Sequence, residues 1–567
     1  MKLVLGLQAL AAFGLVWSSC LWPLIAAVPA ATSPPEAFPC LPLMRDQESA
    51  QHGLSPTEDL FHRAEQNGRQ AAEAFHRCRR YVDGWLSHAD PVTGLIPRNL
   101  TNSRDYWNGR DAGADNYAFM VLTAALTDPP LLEGRMLAML RTEQRLTARL
   151  DRLCDDYSFS KKNWRRQPFD LEATLFDSAE YAKDGLVPVT EWLGPSPWSQ
   201  RLIGLVEDIW KNAKVETPFG RIPTRNIEVN GDLLQCCSRL DGITGHRRFL
   251  DWGIRLGDYY LLGTNHPTRD LNELRLRDHG GEIVNGLTEL YVVLKHHQPA
   301  KAAAYREPLH AIFNRILEAG RNDHGMLYDS FNPQTGAHSQ GVCDTWGYIC
   351  DGFYTLHLVD RVTAYREAVL KAMRHLESHY SGYAWEGASA DGYADSIESA
   401  LNLFNREPVE SVARWLDSQI AIMWQKQQSD GIIEGWHGDG NFARTSLMYA
   451  LWKTQGVRAV PWREDVRLGS VQHNHRLFIS LTADKPWAGT LVFDRPRHRE
   501  YLRLPLDYPR INQFPEWFVL ESGDRCTIED AETGTKRPVS ARELRRGWKC
   551  SVSGLQEKRW VIEIALR

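Results

Sequence analysis

Hydrophobic and polar positions along residues 60–460 predict pairs of helices. Amphipathic segments carry apolar residues at helical spacing, as in Leu309, Ile312 and Ile316, which indicates outer helices. A Gly-containing loop follows each one, and then comes a run that is apolar on most faces, as expected of a helix inside a large core. Self-similarity with a period of about 50 residues favours closure of the pairs into a ring. The pattern predicts an (α/α)6 toroid.

The six predicted outer helices cover residues 64–88, 197–213, 246–262, 300–320, 361–380 and 408–428. The six predicted inner helices begin near Gly109, Asn230, Asp278, Cys343, Asp391 and Gly438. A helix near 132–153 and the polar, aromatic stretch 154–195 are interpreted as an insertion between the first and second hairpins.

The pattern changes after residue 460. Short strand-like runs, such as Arg476–Leu481 and Trp560–Ile564, lie between turn residues. Residues 461–567 are therefore predicted to form an antiparallel β-sandwich packed on the toroid.

The first residues predict export. A charged start, an apolar core and small residues before Thr32 are typical of a secretory signal over 1–31, followed by a linker over 32–59. An uncleaved N-terminal anchor is the alternative, because the whole apolar stretch approaches spanning length. No later stretch is apolar enough to span a membrane, so a secreted or periplasmic protein is expected.

Composition narrows the functional classes. A formal net charge of -5 argues against bulk binding to nucleic acid, and the 20 tryptophans suit either glycan stacking or helix packing. Ten cysteines in an exported chain can form disulfides, with Cys526 and Cys550 as one candidate pair. No phosphate loop, Gly-x-Ser-x-Gly elbow or His-Glu-x-x-His helix occurs, so neither a metal nor a cofactor is predicted.

Two short motifs resemble a known family. Asp115-Asn116 precedes an apolar Phe119-Met120 run, and Asp232 precedes a Thr244-Gly245-His246 turn. This pattern is similar to that of the six-hairpin glycosidase-like superfamily, with the unsaturated glucuronyl and rhamnogalacturonyl hydrolases as the nearest families. The resemblance implies an α/α toroid that acts on glycans. The C-terminal β domain departs from those hydrolases and is common in toroid polysaccharide lyases.

Acidic residues at the predicted inner helix starts would meet at one mouth of the ring. An N-cap role is the alternative for any one of them. Several carboxylates around one cleft should raise some pKa values, which is the requirement for glycosidic acid and base groups. The resemblance selects Asp115 and Asp232 as the catalytic pair. Further catalytic candidates are Asp278, His279 and Glu282.

The substrate-binding candidates are arginines that could bind the carboxylate of a uronate, aromatic residues that could stack on a sugar, and neighbouring polar residues. Ordinary salt bridges and helix packing are the alternative roles for these residues. They are Asp111, Asn116, Arg225, Arg277, Trp346, Tyr348, Trp436, His437 and Arg444. The predicted function is hydrolysis of acidic, uronic-acid-containing oligosaccharides or polysaccharides. The alternatives are a lyase with an Asn/His/Tyr site and a non-catalytic glycan-binding protein.

Overall fold

The computed structural model describes residues 55–565, apart from the His279 side chain. The predicted signal segment 1–31 and nearly all of the predicted linker lie outside the described residues. Fourteen long helical segments, numbered α1 to α14, alternate between an outer and an inner layer in this part of the chain.

The outer helices are α1 (Pro56–Ser87), α3 (129–147), α5 (Pro197–Lys211), α7 (248–262), α9 (Pro299–Ala319), α11 (Thr363–Tyr380) and α13 (Glu410–Trp424). The inner helices are α2 (109–127), α4 (171–193), α6 (Ile227–Thr244), α8 (Glu282–His297), α10 (Trp346–Asp360), α12 (Ala390–Phe404) and α14 (Asn441–Lys453). Wider π-type turns begin α2 (Gly109–Tyr117) and interrupt α4 (Tyr181–Leu186).

The inner helices close a ring. Each one contacts the inner helix before and after it, and α14 contacts α2. The predicted α/α toroid with a C-terminal β region is therefore confirmed. Glycines allow the closest approach between α2 and α4, since a Cβ on Gly185 would lie 3.1 Å from the Cα of Ala114.

The segment interpreted as an insertion is a full member of the ring. Residues 129–147 form an outer helix and residues 171–193 an inner one, so the described residues contain seven outer–inner pairs. The insertion interpretation was wrong because α4 buries charged residues, among them Glu180, Lys183 and Asp184. These residues hide the apolar pattern by which the other inner helices were recognised.

The C-terminal region contains two antiparallel sheets. Their strands, numbered after five short strands in the loops of the toroid, are β6 (Arg458–Val460), β7 (Val466–His473), β8 (Arg476–Ala483), β9 (Trp487–Val492), β10 (Arg525–Asp530), β11 (Lys536–Ser540), β12 (Trp548–Val552) and β13 (Glu557–Ile564). One sheet has the order β11-β10-β13-β8-β7 and the other β12-β9-β6. Side chains from both sheets share one core, as in a sandwich.

The β domain contacts the ring in two places. Strand β7 packs along α1, where Gly469 leaves no room for a Cβ against the backbone of Ala64 and Gly68. The segment 502–517 packs against the C-terminal parts of inner helices, where Arg510 donates to Glu191 at 2.8 Å and Asn405 donates to the backbone of Glu516. The C-terminal domain thus supplies the floor of the central cavity.

The described residues also bear on two smaller predictions, a disulfide bond and the lack of a later membrane span. Cys526 and Cys550, proposed as a candidate disulfide pair, are free thiols on strands of different sheets. Among residues 55–565, no helix combines the length and the hydrophobicity needed to cross a membrane.

Candidate active site

The inner helices present their N-terminal halves to one mouth of the ring. Unpaired N–H groups and the helix dipole at these ends favour negative charge. Carboxylates from neighbouring inner helices accordingly cluster there. Three such clusters are visible in the described structure, together with a rim of loop residues.

The first cluster joins α2 to the loop before α14. Nε2 of His437 lies 3.6 Å from Oδ2 of Asp115, and Nδ1 of His437 lies 3.1 Å from the carbonyl oxygen of Gly438. A carbonyl only accepts, so Nδ1 carries a proton and Nε2 faces the carboxylate. Asp111 is buried beside them and accepts from Nε of Arg98 at 2.5 Å.

The environment of Asp115 makes it a proton donor. Burial raises the pKa of Asp115 to about 7, against the opposing charge of His437. The carboxylates of Asp184, Asp391 and Asp111 raise this pKa further. The Asp115 side chain is 22% exposed, so solvent still reaches the carboxyl group. An accessible acid that is half protonated near neutrality is the result.

His437 carries the complementary charge. Burial lowers its pKa, but Asp115 and Asp111 outweigh that effect and bring the pKa of His437 to about 9. The imidazolium therefore persists at neutral pH. It also opposes the desolvation that raises the pKa of Asp115.

The second cluster lies deeper, between α4, α6 and α8. Nζ of Lys183 donates to Oδ1 of Asp184 at 2.6 Å and contacts Glu282. Asp232 is 0% exposed, and neither of its carboxylate oxygens accepts a hydrogen bond. Burial, with Glu282 close by, raises the pKa of Asp232 well above its usual range. Asp232 therefore holds a proton in the interior.

The third cluster includes a side chain from the C-terminal domain. Arg444 is buried and donates to Asp395 at 2.6 Å, and it lies 2.9 Å from Glu398. The side chain of Asn512 accepts from Arg444 at 2.8 Å and donates to Asp184 at 2.7 Å. Asn512 thus connects the second and third clusters from below.

Loop residues form the rim. Nη2 of Arg277 donates to Glu386 at 2.7 Å, while Nε of Arg277 lies 3.6 Å from Asp278 and 3.9 Å from Asp344. Burial, with Asp278 nearby, raises the pKa of Asp344 to about 7. The side chain of His279 lies outside the described residues.

The aromatic candidates separate into two kinds. Trp346 is buried and donates to Ser396 at 3.0 Å, and Tyr348 is almost wholly buried. Trp436 is 82% exposed, with the Arg98 guanidinium 5.3 Å from the centre of its ring. Trp436, next to His437, is therefore the candidate platform on which a sugar can stack.

Two predicted binding residues have other partners. Asn116 is buried and accepts from the Tyr81 hydroxyl at 2.7 Å. Arg225 is exposed, and its guanidinium contacts the Tyr259 hydroxyl of an outer helix at 3.3 Å.

Sequence reasoning missed the acidic residues of α4. Asp177, Glu180 and Asp184 are buried on a helix that was interpreted as an insertion. The signal was available, since Asp184-Gly185 precedes an apolar Leu186-Val187 run much as the acidic start of α2 precedes its own.

Two of the acidic groups have the spacing of cation ligands. Ligand atoms of Asp111, Asp115 and His437 lie within 4.8 Å of one another, and so do those of Glu180, Asp184 and Asp232. In the second group the Lys183 ammonium already neutralises part of the charge. In the first group, the positive charge of protonated His437 neutralises part of the charge of Asp111 and Asp115.

Comparisons with known proteins give fold likenesses only. No family model and no curated protein matches this sequence. An α-1,6-mannanase of Salegentibacter sp. HEL1_6 is similar over 66% of this chain and 97% of its own, at 8% identity and a TM-score of 0.38. An unsaturated glucuronyl hydrolase of Bacillus sp. GL1 is similar over 49% of this chain and 85% of its own, at 12% identity and a TM-score of 0.34.

A third solved structure is similar over a larger share of the chain. A β-arabinofuranosidase is similar over 89% of this chain and 78% of its own, at 10% identity and a TM-score of 0.37. At TM-scores of 0.34–0.38 these likenesses carry no further argument. No reaction, substrate or residue role is transferred from these structures.

Proposed function

We propose that this protein is a glycoside hydrolase with its active site at the mouth of the ring and Asp115 as the general acid. The observation that carries this proposal is the position of Asp115, a partly exposed carboxyl group at the mouth among other carboxylates, where burial raises its pKa to about 7. Glycosidic cleavage needs such a protonated acid beside an ionised carboxylate.

The ionised partner that we propose is Asp184. Lys183 and Asn512 both donate to its Oδ1, at 2.6 and 2.7 Å, which favours the charged form. Asp232, the partner suggested by the sequence, is fully buried, so a sugar meets Asp184 first. We assign Asp232 the role of a protonated neighbour beneath that carboxylate.

The same surroundings favour hydrolysis over elimination. A lyase needs an unprotonated group that can accept the C5 proton of a uronate, such as neutral histidine or ionised tyrosine. His437 has a pKa of about 9, and burial raises the pKa of Tyr348 well above its usual range. Neither group accepts a proton readily at neutral pH, whereas a carboxyl donor and a carboxylate partner are both present.

Recognition of an acidic sugar would depend on two arginines of the mouth. The side chains of Arg110 and Arg277 are 40% and 30% exposed, whereas Arg444 is buried. Arg110 already pairs with Asp177 at 3.3 Å, and Arg277 with Glu386 at 2.7 Å. A uronate must share these guanidinium groups, so the mouth attracts an anionic substrate less than the sequence alone implies.

A substrate screen tests the proposal. Neutral and uronic-acid oligosaccharides, with lyase-generated unsaturated ones, are incubated side by side with the wild type and Asp115→Asn. New reducing ends without a conjugated unsaturated product, lost in Asp115→Asn, are the expected result. An unsaturated product would identify a lyase instead. Glycan affinity without turnover would identify a binding protein.

Export through the predicted signal would bring the enzyme to glycans outside the cytoplasm.

A further inference from the structure

Three histidines converge on the outer wall of the ring, away from the three acidic clusters. The ring of His324 lies 3.8 Å from that of His379 and 5.2 Å from that of His375, measured between centroids. The rings of His375 and His379 are also 5.2 Å apart. One ring nitrogen from each histidine lies within 4.8 Å of the other two. All three side chains remain partly or fully accessible to solvent.

The backbone fixes this arrangement. His375 and His379 are one helical turn apart near the C-terminal end of α11, and residues at that spacing share a helix face. His324 belongs to a tight loop after α9, in which Oδ1 of Asn322 accepts from the backbone N–H of His324 at 3.0 Å. Nδ2 of Asn322 donates to the Tyr380 hydroxyl at 2.9 Å, which ties the loop to the end of α11.

Hydrogen bonds hold the same nitrogen, Nδ1, of both helical histidines. Nδ1 of His375 lies 2.8 Å from the carbonyl oxygen of Lys371, so Nδ1 carries the proton. Nδ1 of His379 lies 2.8 Å from Oγ of Ser378, which itself donates to the carbonyl oxygen of His375 at 3.4 Å. In both rings Nε2 is left with a free lone pair. This is how an outer hydrogen bond orients a metal-ligating imidazole.

Neutral imidazole is the form that binds metals. The three rings lie close enough for one nitrogen of each to reach a single shared ion.

We propose that His324, His375 and His379 bind one divalent transition-metal ion, of the Zn²⁺, Ni²⁺ or Cu²⁺ class. Imidazole suits these ions, whereas Mg²⁺ and Ca²⁺ prefer oxygen ligands. Three protein ligands leave a coordination position for water. The ion would fasten the loop that precedes α10 to the outer helix α11, on the side where loop residues such as Glu386 form the rim. The site is independent of the proposed glycosidic chemistry.

Direct binding measurements test the site. Protein purified without a polyhistidine tag is stripped with a chelator and titrated with Zn²⁺ by calorimetry, and with Cu²⁺ by electron paramagnetic resonance. We expect one ion per chain and a Cu²⁺ spectrum with nitrogen ligands. We also expect Zn²⁺ to raise Tm, because an ion that binds only the folded chain stabilises it. Mg²⁺ should leave Tm unchanged.

Single variants show whether three ligands act together. His324→Ala, His375→Ala and His379→Ala should each lower the Zn²⁺ affinity by at least about 100-fold, more than the loss of an outer hydrogen bond costs. The exposed pair His296 and His297 at the end of α8 is the matched control, and replacing both by Ala should leave affinity unchanged.

Two results would overturn the proposal. One is the lack of a binding isotherm in the wild-type protein. The other is unchanged affinity in His324→Ala, which would reduce the site to an ordinary pair of histidines on one helix. All these positions are at least partly exposed, so the variants are expected to fold. Circular dichroism of the apo proteins checks this before titration.

Discussion

The two ends of the ring differ in how completely their buried carboxylates are paired with cations. At the base, Glu289 accepts from Arg239 at 2.7 Å and Glu191 accepts from Arg510 at 2.8 Å, so each carboxylate has its own guanidinium. At the mouth, Asp115 lies 3.6 Å from the His437 imidazole and among other carboxylates, and neither carboxylate oxygen of Asp232 accepts a hydrogen bond from the described residues.

The pKa values of buried carboxyl groups differ between the base and the mouth in the same way as their pairing. At the base, burial would raise the pKa of Asp507, but Arg406 and Arg510 lower it below its usual range. At the mouth, burial and neighbouring carboxylates raise the pKa of Asp115 and Asp232. Paired charges at the base fasten the C-terminal domain to the ring. The excess of acid at the mouth costs stability and supplies protons, which is the arrangement expected where chemistry occurs.

Asp115→Asn is the substitution with the largest expected effect, and it tests whether the acidic mouth is catalytic. Loss of the general acid should lower kcat/KM by about 100- to 10,000-fold on the substrate found by the screen. The variant should fold at least as stably as the wild type at pH 7 and above, because the folded state resists ionising this carboxyl group. Activity and Tm are measured together. Asp83→Asn, on the exposed face of α1, is the control, and wild-type turnover in Asp115→Asn would remove Asp115 from catalysis.

At the base, Arg510→Met should act on stability instead. It leaves Glu191 buried without its cation, which costs about 3–5 kcal/mol of the free energy of unfolding. Urea unfolding and Tm measure the loss. Adding Glu191→Leu should recover much of it, since an apolar pair of similar volume replaces a buried ion pair well. Unchanged stability in Arg510→Met would mean that this end of the ring does not depend on its ion pairs.

Trp436→Ala tests whether the mouth binds a sugar by stacking on this exposed ring. Loss of the exposed platform should raise KM roughly tenfold, equivalent to about 1.4 kcal/mol, and change kcat little. Steady-state kinetics separate the two constants. Leu555→Ala, an exposed apolar residue of the β domain, should change neither. A fall in kcat alone would assign Trp436 a role in the chemical step.

The smallest expected effect is a shift of the pH profile. Activity should fall about tenfold per pH unit above pH 7, as Asp115 loses the proton that it donates. The cation of His437 lowers the pKa of Asp115, so His437→Gln should move this limb to higher pH by about one unit. The pH dependence of kcat/KM measures it. A limb that moves to lower pH would contradict the proposed pairing.

The sequence by itself determined six of the seven helical pairs, the β-rich end and the acidic starts of most inner helices. These features are local, since a helix repeats its apolar positions every three or four residues and a strand every two. Asp115, Trp436 and His437 were accessible to such reasoning because they lie at helix starts or in the loops just before them.

Tertiary structure alone decided which carboxylates share the cavity. Asp184 belongs to a helix whose buried charges hid its place in the ring, and Asn512 reaches the cavity from a segment more than 300 residues further along the chain. Burial decided that Asp232 is enclosed while Asp115 remains accessible. Desolvation and long-range proximity determine these outcomes, and neither is encoded in the spacing of neighbouring residues.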